Sequence, residues 1–158
     1  AATATYARSY DIKTKIIRIF NTYGPNMQLN DGRVVTNLIV QALNNQDLTI
    51  YGDGSQTRSF SYVSDTVAGI IAMMNSEHYE VFNIGNPYEM TVKELAETIL
   101  KLTDSSSKII FKPLPNDDPQ QRRPDITKAR EKLHWEPKID LETGLNTTIE
   151  WIKKELSR

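Results

Sequence analysis

The chain has 158 residues, 39% hydrophobic and 25% charged, with a formal net charge of −1. These proportions suit one ordinary globular core, and the near-neutral balance argues against a general nucleic-acid binder, which needs a basic face to neutralise phosphates. The absence of cysteine excludes disulfides, thiolate chemistry and cysteine-ligated zinc within the chain, and no apolar run approaches the roughly 20 residues of a membrane span.

The first residues lack the charged-then-apolar order of a signal peptide, so a cytoplasmic setting is the default expectation. Residues 1–10 are alanine-rich without a convincing cap and predict the tail of a longer helix. The β-branched run 15–20 follows at once. A helix feeding such a strand is the second half of a βαβ unit, which places the strand in a parallel sheet. The neighbours that such a strand needs are few, which points to the C-terminal portion of a larger protein.

The turn Asn30-Asp31-Gly32 opens a helix over 34–43. A strand at 48–51 then meets Gly52 and Gly54, whose conformational freedom allows a sharp turn that brings Arg58 back beside it. Tyr51 and Arg58 are expected to converge. An aromatic face stacks on a base, and a guanidinium grips a diphosphate with a bidentate fork. The competing reading is a β-hairpin with a solvated arginine.

Short strands are expected at 59–63, 81–85 and 108–112, and a helix at 65–74 with Ser64 as its cap. Thr91 and Glu94 have capping-box spacing, and Val92, Leu95, Ala96, Ile99 and Leu102 then share one helical face. The proline-bounded segment 113–124 reads as a polar loop. Asp140 can cap a last helix carrying Leu141, Leu145, Ile149, Ile152 and Leu156 on its apolar stripe. His78 and His134 have no metal-ligand spacing. Asp117 and Asp118 could suggest magnesium, but the adjoining arginines favour an internally paired loop, so no metal site is expected.

Several segments fit one family in order: Phe20-Asn21-Thr22-Tyr23-Gly24-Pro25, Asn30-Asp31-Gly32-Arg33-Val34-Val35, the stretch from Tyr51 to Arg58, Phe82-Asn83-Ile84-Gly85-Asn86-Pro87, the stretch from Asp118 to Asp125, and Trp135-Glu136-Pro137. Together they resemble the extended short-chain dehydrogenase/reductases that act on nucleotide sugars. The combination is most similar to UDP-glucuronate decarboxylases, while dTDP-glucose 4,6-dehydratases and UDP-sugar 4-epimerases share several of the segments.

The resemblance implies an α/β fold, comprising the end of a Rossmann-type NAD(P)-binding sheet and the smaller substrate-binding domain. It implies UDP-sugar binding by Asn21, Arg33, Tyr51, Arg58, Asn83 and Arg122, with Phe20 and Pro25 toward the nicotinamide of NAD. Arg122 is the implied catalytic group. Arginine is a poor acid at neutral pH, so orienting a carboxylate is the role that suits it. The family's glycine-rich G-x-x-G-x-x-G turn and its Tyr-x-x-x-Lys are both missing from these 158 residues. NAD is therefore expected to be held mainly by an upstream part, the complete enzyme to be a homodimer, and this chain by itself to be inactive. A non-catalytic nucleotide-sugar binding domain is the alternative of a different kind.

Overall fold

The computed structural model describes residues 2–114 and 120–158. Asp117 and Asp118 lie outside the described residues. In chain order the elements are α1 (Ala2–Tyr10), β1 (Ile16–Ile19), β2 (Thr22–Tyr23), α2 (Val34–Leu43), β3 (Leu48–Tyr51), β4 (Thr57–Ser59), β5 (Ser61–Tyr62), α3 (Val63–Asn75), β6 (Val81–Ile84), β7 (Glu89–Thr91), α4 (Val92–Thr103), β8 (Ile109–Lys112), β9 (Gln121–Arg122), α5 (Thr127–Leu133) and α6 (Leu141–Leu156).

The expected α/β class is what the chain adopts. Three pairs are parallel: β1 with β6, β2 with β5, and β3 with β8. In the remaining sheet β4 lies centrally, antiparallel to β7 and parallel to β9. β1 is only partly buried, and Ile19 is 52% exposed. Its one partner among the described residues is β6, so one of its edges lacks the neighbour that a strand inside a parallel sheet has.

Two apolar clusters organise the packing. In the larger, Leu38 and Ile39 of α2, Leu48 of β3, Leu95 and Ile99 of α4, and Leu145 of α6 have no accessible surface. Each such side chain contributes about 1.5–3 kcal/mol by leaving water. The smaller gathers Met73, Phe82, Ile84, Ile126, Ala129 and Trp135 around β6.

Local signals account for the best-defined helix starts. Thr91 Oγ1 accepts from the Glu94 amide at 3.1 Å, and the Glu94 carboxylate accepts from the Thr91 amide at 2.7 Å, completing the capping box. Asp140 accepts from the Thr143 amide at 2.9 Å and caps α6.

Four expectations need correction. The turn at Gly52 and Gly54 forms, both residues having positive φ (71° and 80°), but the chain does not fold back along β3. β3 pairs with β8 while β4 pairs with β7 and β9, so no β3–β4 hairpin forms. Residues 59–63 form two short strands instead of one, because β4 and β5 belong to different sheets on either side of Phe60. Segment 113–124 is not wholly loop, since Gln121 and Arg122 pair with Thr57 and Arg58.

The helix expected at 65–74 begins at Val63, with Tyr62 in extended conformation at its N-cap. Ser64 therefore sits inside the first turn. The sequence pattern does not predict α5: it is short, its N-cap is Ile126, and Asp125 just before it accepts from the Thr127 amide at 2.9 Å.

Candidate functional site

A cavity of about 490 Å³ opens beside the C-terminal end of β1. In open α/β sheets ligands bind beyond the carboxyl ends of the strands. Phe20 and Asn21 reach this position directly from β1, anchored by the Phe20 amide donating to the Ile84 carbonyl at 3.1 Å. The Asn21 carbonyl in turn accepts from the Ser61 amide at 2.9 Å.

Arg33 joins the wall from the start of α2, where Asp31 accepts from its backbone amide at 3.0 Å and pairs with its Nε at 3.2 Å. Its side chain stays 65% exposed, so it can swing toward a ligand. Arg58 and Arg122 come from adjacent strands, as Cα partners in the β4–β9 pairing. Residues directly opposite in a sheet share a face, and both arginines line the cavity.

Arg58 is 8% exposed, which excludes the solvated-arginine reading. Its guanidinium donates to the Thr57 carbonyl at 2.8 Å, holding it near the strand. Arg122 is exposed. Phe60, at 5% exposure, and Tyr23, at 2%, supply apolar wall.

Three arginines therefore line one cavity, and none of its described lining residues is acidic. Such a site suits a ligand with more than one negative charge. Tyr23 has no acid–base use there: burial pushes its hydroxyl far above the ordinary tyrosine value, Tyr62 adds to the shift, and the hydroxyl donates to the Leu141 carbonyl at 3.3 Å.

The structure thus brings together Phe20, Asn21, Arg33, Arg58 and Arg122. Three other expected residues stand apart. Tyr51 ends β3 with 47% exposure, outside the cavity lining and in a different sheet from Arg58. The Asn83 side chain donates through Nδ2 to the Asp125 carbonyl at 2.9 Å and ties β6 to the segment before α5. Pro25 borders a separate hollow against Asn146, Thr147 and Trp151 of α6. Sequence reasoning passed over Glu89. Its carboxylate accepts from Thr57 Oγ1 at 2.8 Å and Gln121 Nε2 at 2.8 Å, and no local pattern announces a bond across three strands.

Among the described residues, no group of three or more histidine, cysteine or acidic side chains could hold a metal ion. No described helix is long and apolar enough to cross a membrane.

Comparisons with known proteins converge on one family. The family model described as GDP-mannose 4,6 dehydratase matches residues 1–148. The chain is 54% identical over 140 residues to UDP-glucuronic acid decarboxylase 1 of Arabidopsis thaliana, covering 89% of this chain and 32% of that protein. It is 51% identical over 151 residues to UDP-glucuronic acid decarboxylase 1 of Danio rerio, covering 96% of this chain and 36% of that protein.

Among solved structures, UDP-glucose 4-epimerase of Thermotoga maritima with UDP-glucose superimposes with a TM-score of 0.93 at 35% identity, covering 97% of this chain and 50% of that one. UDP-glucuronic acid 4-epimerase from Bacillus cereus, in complex with UDP-glucuronic acid and NAD, gives 0.90 at 30% identity, with coverage of 97% and 49%. The chain thus spans about a third of the length of these curated relatives and about half of these structures. With the family model matched across nearly the whole chain and the same α/β architecture in its structural neighbours, the protein belongs to the GDP-mannose 4,6 dehydratase family of extended short-chain dehydrogenase/reductases.

Proposed function

We propose that this chain supplies the sugar-nucleotide site of an NAD-dependent UDP-glucuronate decarboxylase, which forms UDP-xylose. The observation that carries the reading is the in-register pair Arg58 and Arg122 on one cavity wall, with Asn21 and Phe20 beside them. UDP-glucuronate carries negative charge at two separated places, the diphosphate and the C5 carboxylate. Arg58, more buried and fixed to its strand, suits the diphosphate, with Arg33 closing over it from the start of α2. Arg122, exposed at the cavity wall, suits the carboxylate. Asn21 offers an amide to sugar hydroxyls, and Phe20 offers an apolar surface to the nicotinamide edge.

NAD, when bound, supplies the hydride acceptor and donor at sugar C4. This sequence holds no G-x-x-G-x-x-G turn for the pyrophosphate, and Phe20 at the cavity wall is the residue we assign to the nicotinamide side. Loss of carbon dioxide needs the C5–carboxylate bond aligned with the π system of a C4 ketone. Arg122 contributes that alignment by gripping the carboxylate.

The second reading is a UDP-sugar 4-epimerase, favoured by the fold likeness to the Thermotoga maritima enzyme. The greater identity to the decarboxylases ranks it second. Calorimetric titration of the chain with UDP and UDP-glucuronate, followed by carbon dioxide measurement on the complete enzyme, tests the proposal. The expected result is binding of both ligands by the chain, with UDP-glucuronate tighter, and carbon dioxide release by the complete enzyme alone. Conversion of UDP-glucuronate to its C4 epimer with no carbon dioxide would replace the proposal by the second reading.

A further inference from the structure

β9 is two residues long, and a pairing so short is marginal without further support. Its backbone is tied to β4 by the Thr57 amide donating to the Gln120 carbonyl at 3.0 Å and by Ser59 Oγ donating to the Arg122 carbonyl at 3.3 Å. Arg122 is the Cα partner of Arg58 across this pairing, so the spacing of the two side chains depends on some feature holding the strand in register.

Glu89 lies where it can do so. In the β4–β7 pairing it faces Ser59, so it shares a sheet face with Thr57 and Gln121, while Arg58 and Arg122 leave the other. Its Oε1 accepts from Thr57 Oγ1 and from Gln121 Nε2, each at 2.8 Å, and its Oε2 accepts from Gln121 Nε2 at 2.9 Å. Arg123 Nη1 approaches Oε2 at 3.7 Å. One carboxylate therefore spans β7, β4 and β9 on the face away from the arginine pair.

We infer that Glu89 is a positioning residue for substrate choice: by latching β9 to β4 it sets Arg122 at the distance from Arg58 that a UDP-sugar carboxylate requires. The inference rests on the proposed carboxylate role of Arg122. It makes Glu89 act on discrimination between UDP-glucuronate and UDP, not on nucleotide binding as such, because Arg58 is held chiefly by the Thr57 carbonyl of its own strand at 2.8 Å, with the Gln120 carbonyl at 3.5 Å.

The test is calorimetric titration of Glu89→Ala, Glu89→Gln, Gln121→Leu, Arg122→Ala and the double variant Glu89→Ala/Arg122→Ala with UDP and UDP-glucuronate. Glu89→Ala and Gln121→Leu are expected to lose about tenfold of the preference for UDP-glucuronate, the order of one hydrogen bond to a charged group, with the UDP dissociation constant unchanged. Glu89→Gln should keep most of the preference, since its amide oxygen can accept both bonds now made to Oε1. The double variant should be no worse than Arg122→Ala, as two residues acting through one contact are not additive.

If Arg122→Ala leaves the preference intact, the carboxylate reading of Arg122 fails and the inference with it. If Arg122→Ala abolishes the preference while Gln121→Leu and Glu89→Ala keep it, or if the double variant is additive, the inference alone is overturned. Equal loss of UDP and UDP-glucuronate affinity in Glu89→Ala would likewise reduce Glu89 to a support of the sheet.

Discussion

Trp135 and Asp65 fasten the two apolar clusters to one another. The Trp135 indole N–H donates to the Asp65 carbonyl at 3.0 Å, while the Asp65 carboxylate accepts from the Lys138 and Ile139 amides at 3.0 and 2.9 Å. Trp135 belongs to the smaller cluster around β6, and the residues after Ile139 lead into α6 of the larger. The carboxylate also lies in the first turn of α3, where the helix dipole favours negative charge.

Asp65→Ala is therefore expected to destabilise the chain by roughly 1.5–3 kcal/mol, the loss of hydrogen bonds to a carboxylate from two part-buried amides. Asp65→Asn should cost less, since its amide oxygen can still accept from both backbone groups. Denaturant unfolding of the two variants measures the difference. Equal costs would mean that charge near the helix start, more than the two amide bonds, supplies the stabilisation.

The pH dependence of stability follows from several anchored carboxylates. Glu94 is held below its ordinary value chiefly by the Thr91 amide, Asp140 by the Thr143 side chain and amide, and Glu89 by Gln121 and then Thr57. A folded value below the unfolded one means that the unfolded chain takes up protons first as pH falls. The contribution is complete above the unfolded values, 4.5 for glutamate and 3.8 for aspartate, and is lost as pH drops through the folded ones. Melting temperatures should be flat in this respect from pH 7 to about 5 and fall below that. Glu94→Gln combined with Asp140→Asn should shallow the acid limb; an unchanged limb would exclude these caps as its source.

What the sequence made legible was local. Thr91 and Glu94 are three residues apart, and so are Asp140 and Thr143; both caps form as their spacing predicts. Phe20, Asn21, Arg33, Arg58 and Arg122 do line one cavity, which the family resemblance implied and periodicity could not. The misplacements were non-local. Tyr51 and Arg58 are separated because β3 takes β8 as its partner, a choice made 61 residues further along the chain, where Leu48 pairs with Ile109 and Tyr51 with Lys112, and invisible at the Gly52–Gly54 turn. Glu89 was overlooked for the same reason: its bonds to Thr57 and Gln121 each span 32 residues.

Arg58→Ala should weaken UDP binding by about 1.5–3 kcal/mol, the range for hydrogen bonds to charged groups. The fold should survive, because the side chain borders a cavity and its truncation opens no sealed void. Arg58→Lys should recover only part of the affinity, since an ammonium cannot offer the bidentate fork. Titration with UDP measures all three proteins. A dissociation constant unchanged in Arg58→Ala would assign the arginine to holding β4 and β9 together through its bonds to the Thr57 and Gln120 carbonyls.

Truncating Arg122 tests the proposed decarboxylase against the epimerase reading. An epimerase has no need to align a carbon–carbon bond at C5, whereas a decarboxylase must hold the carboxylate so that the breaking bond overlaps the adjacent ketone. Arg122 is exposed on the cavity wall beside Arg58, so its truncation should leave both the fold and UDP binding intact. In the complete enzyme, Arg122→Ala is expected to slow carbon dioxide release by about 10²-fold or more, the loss typical of a preorganised electrostatic group, while the initial oxidation at C4 slows far less. The 4-keto sugar nucleotide should then accumulate in a single turnover. Rapid-quench analysis of the sugar nucleotides beside carbon dioxide measurement resolves the two steps. Equal slowing of both would make Arg122 a general binding residue, and an unaffected rate of carbon dioxide release would remove it from the reaction.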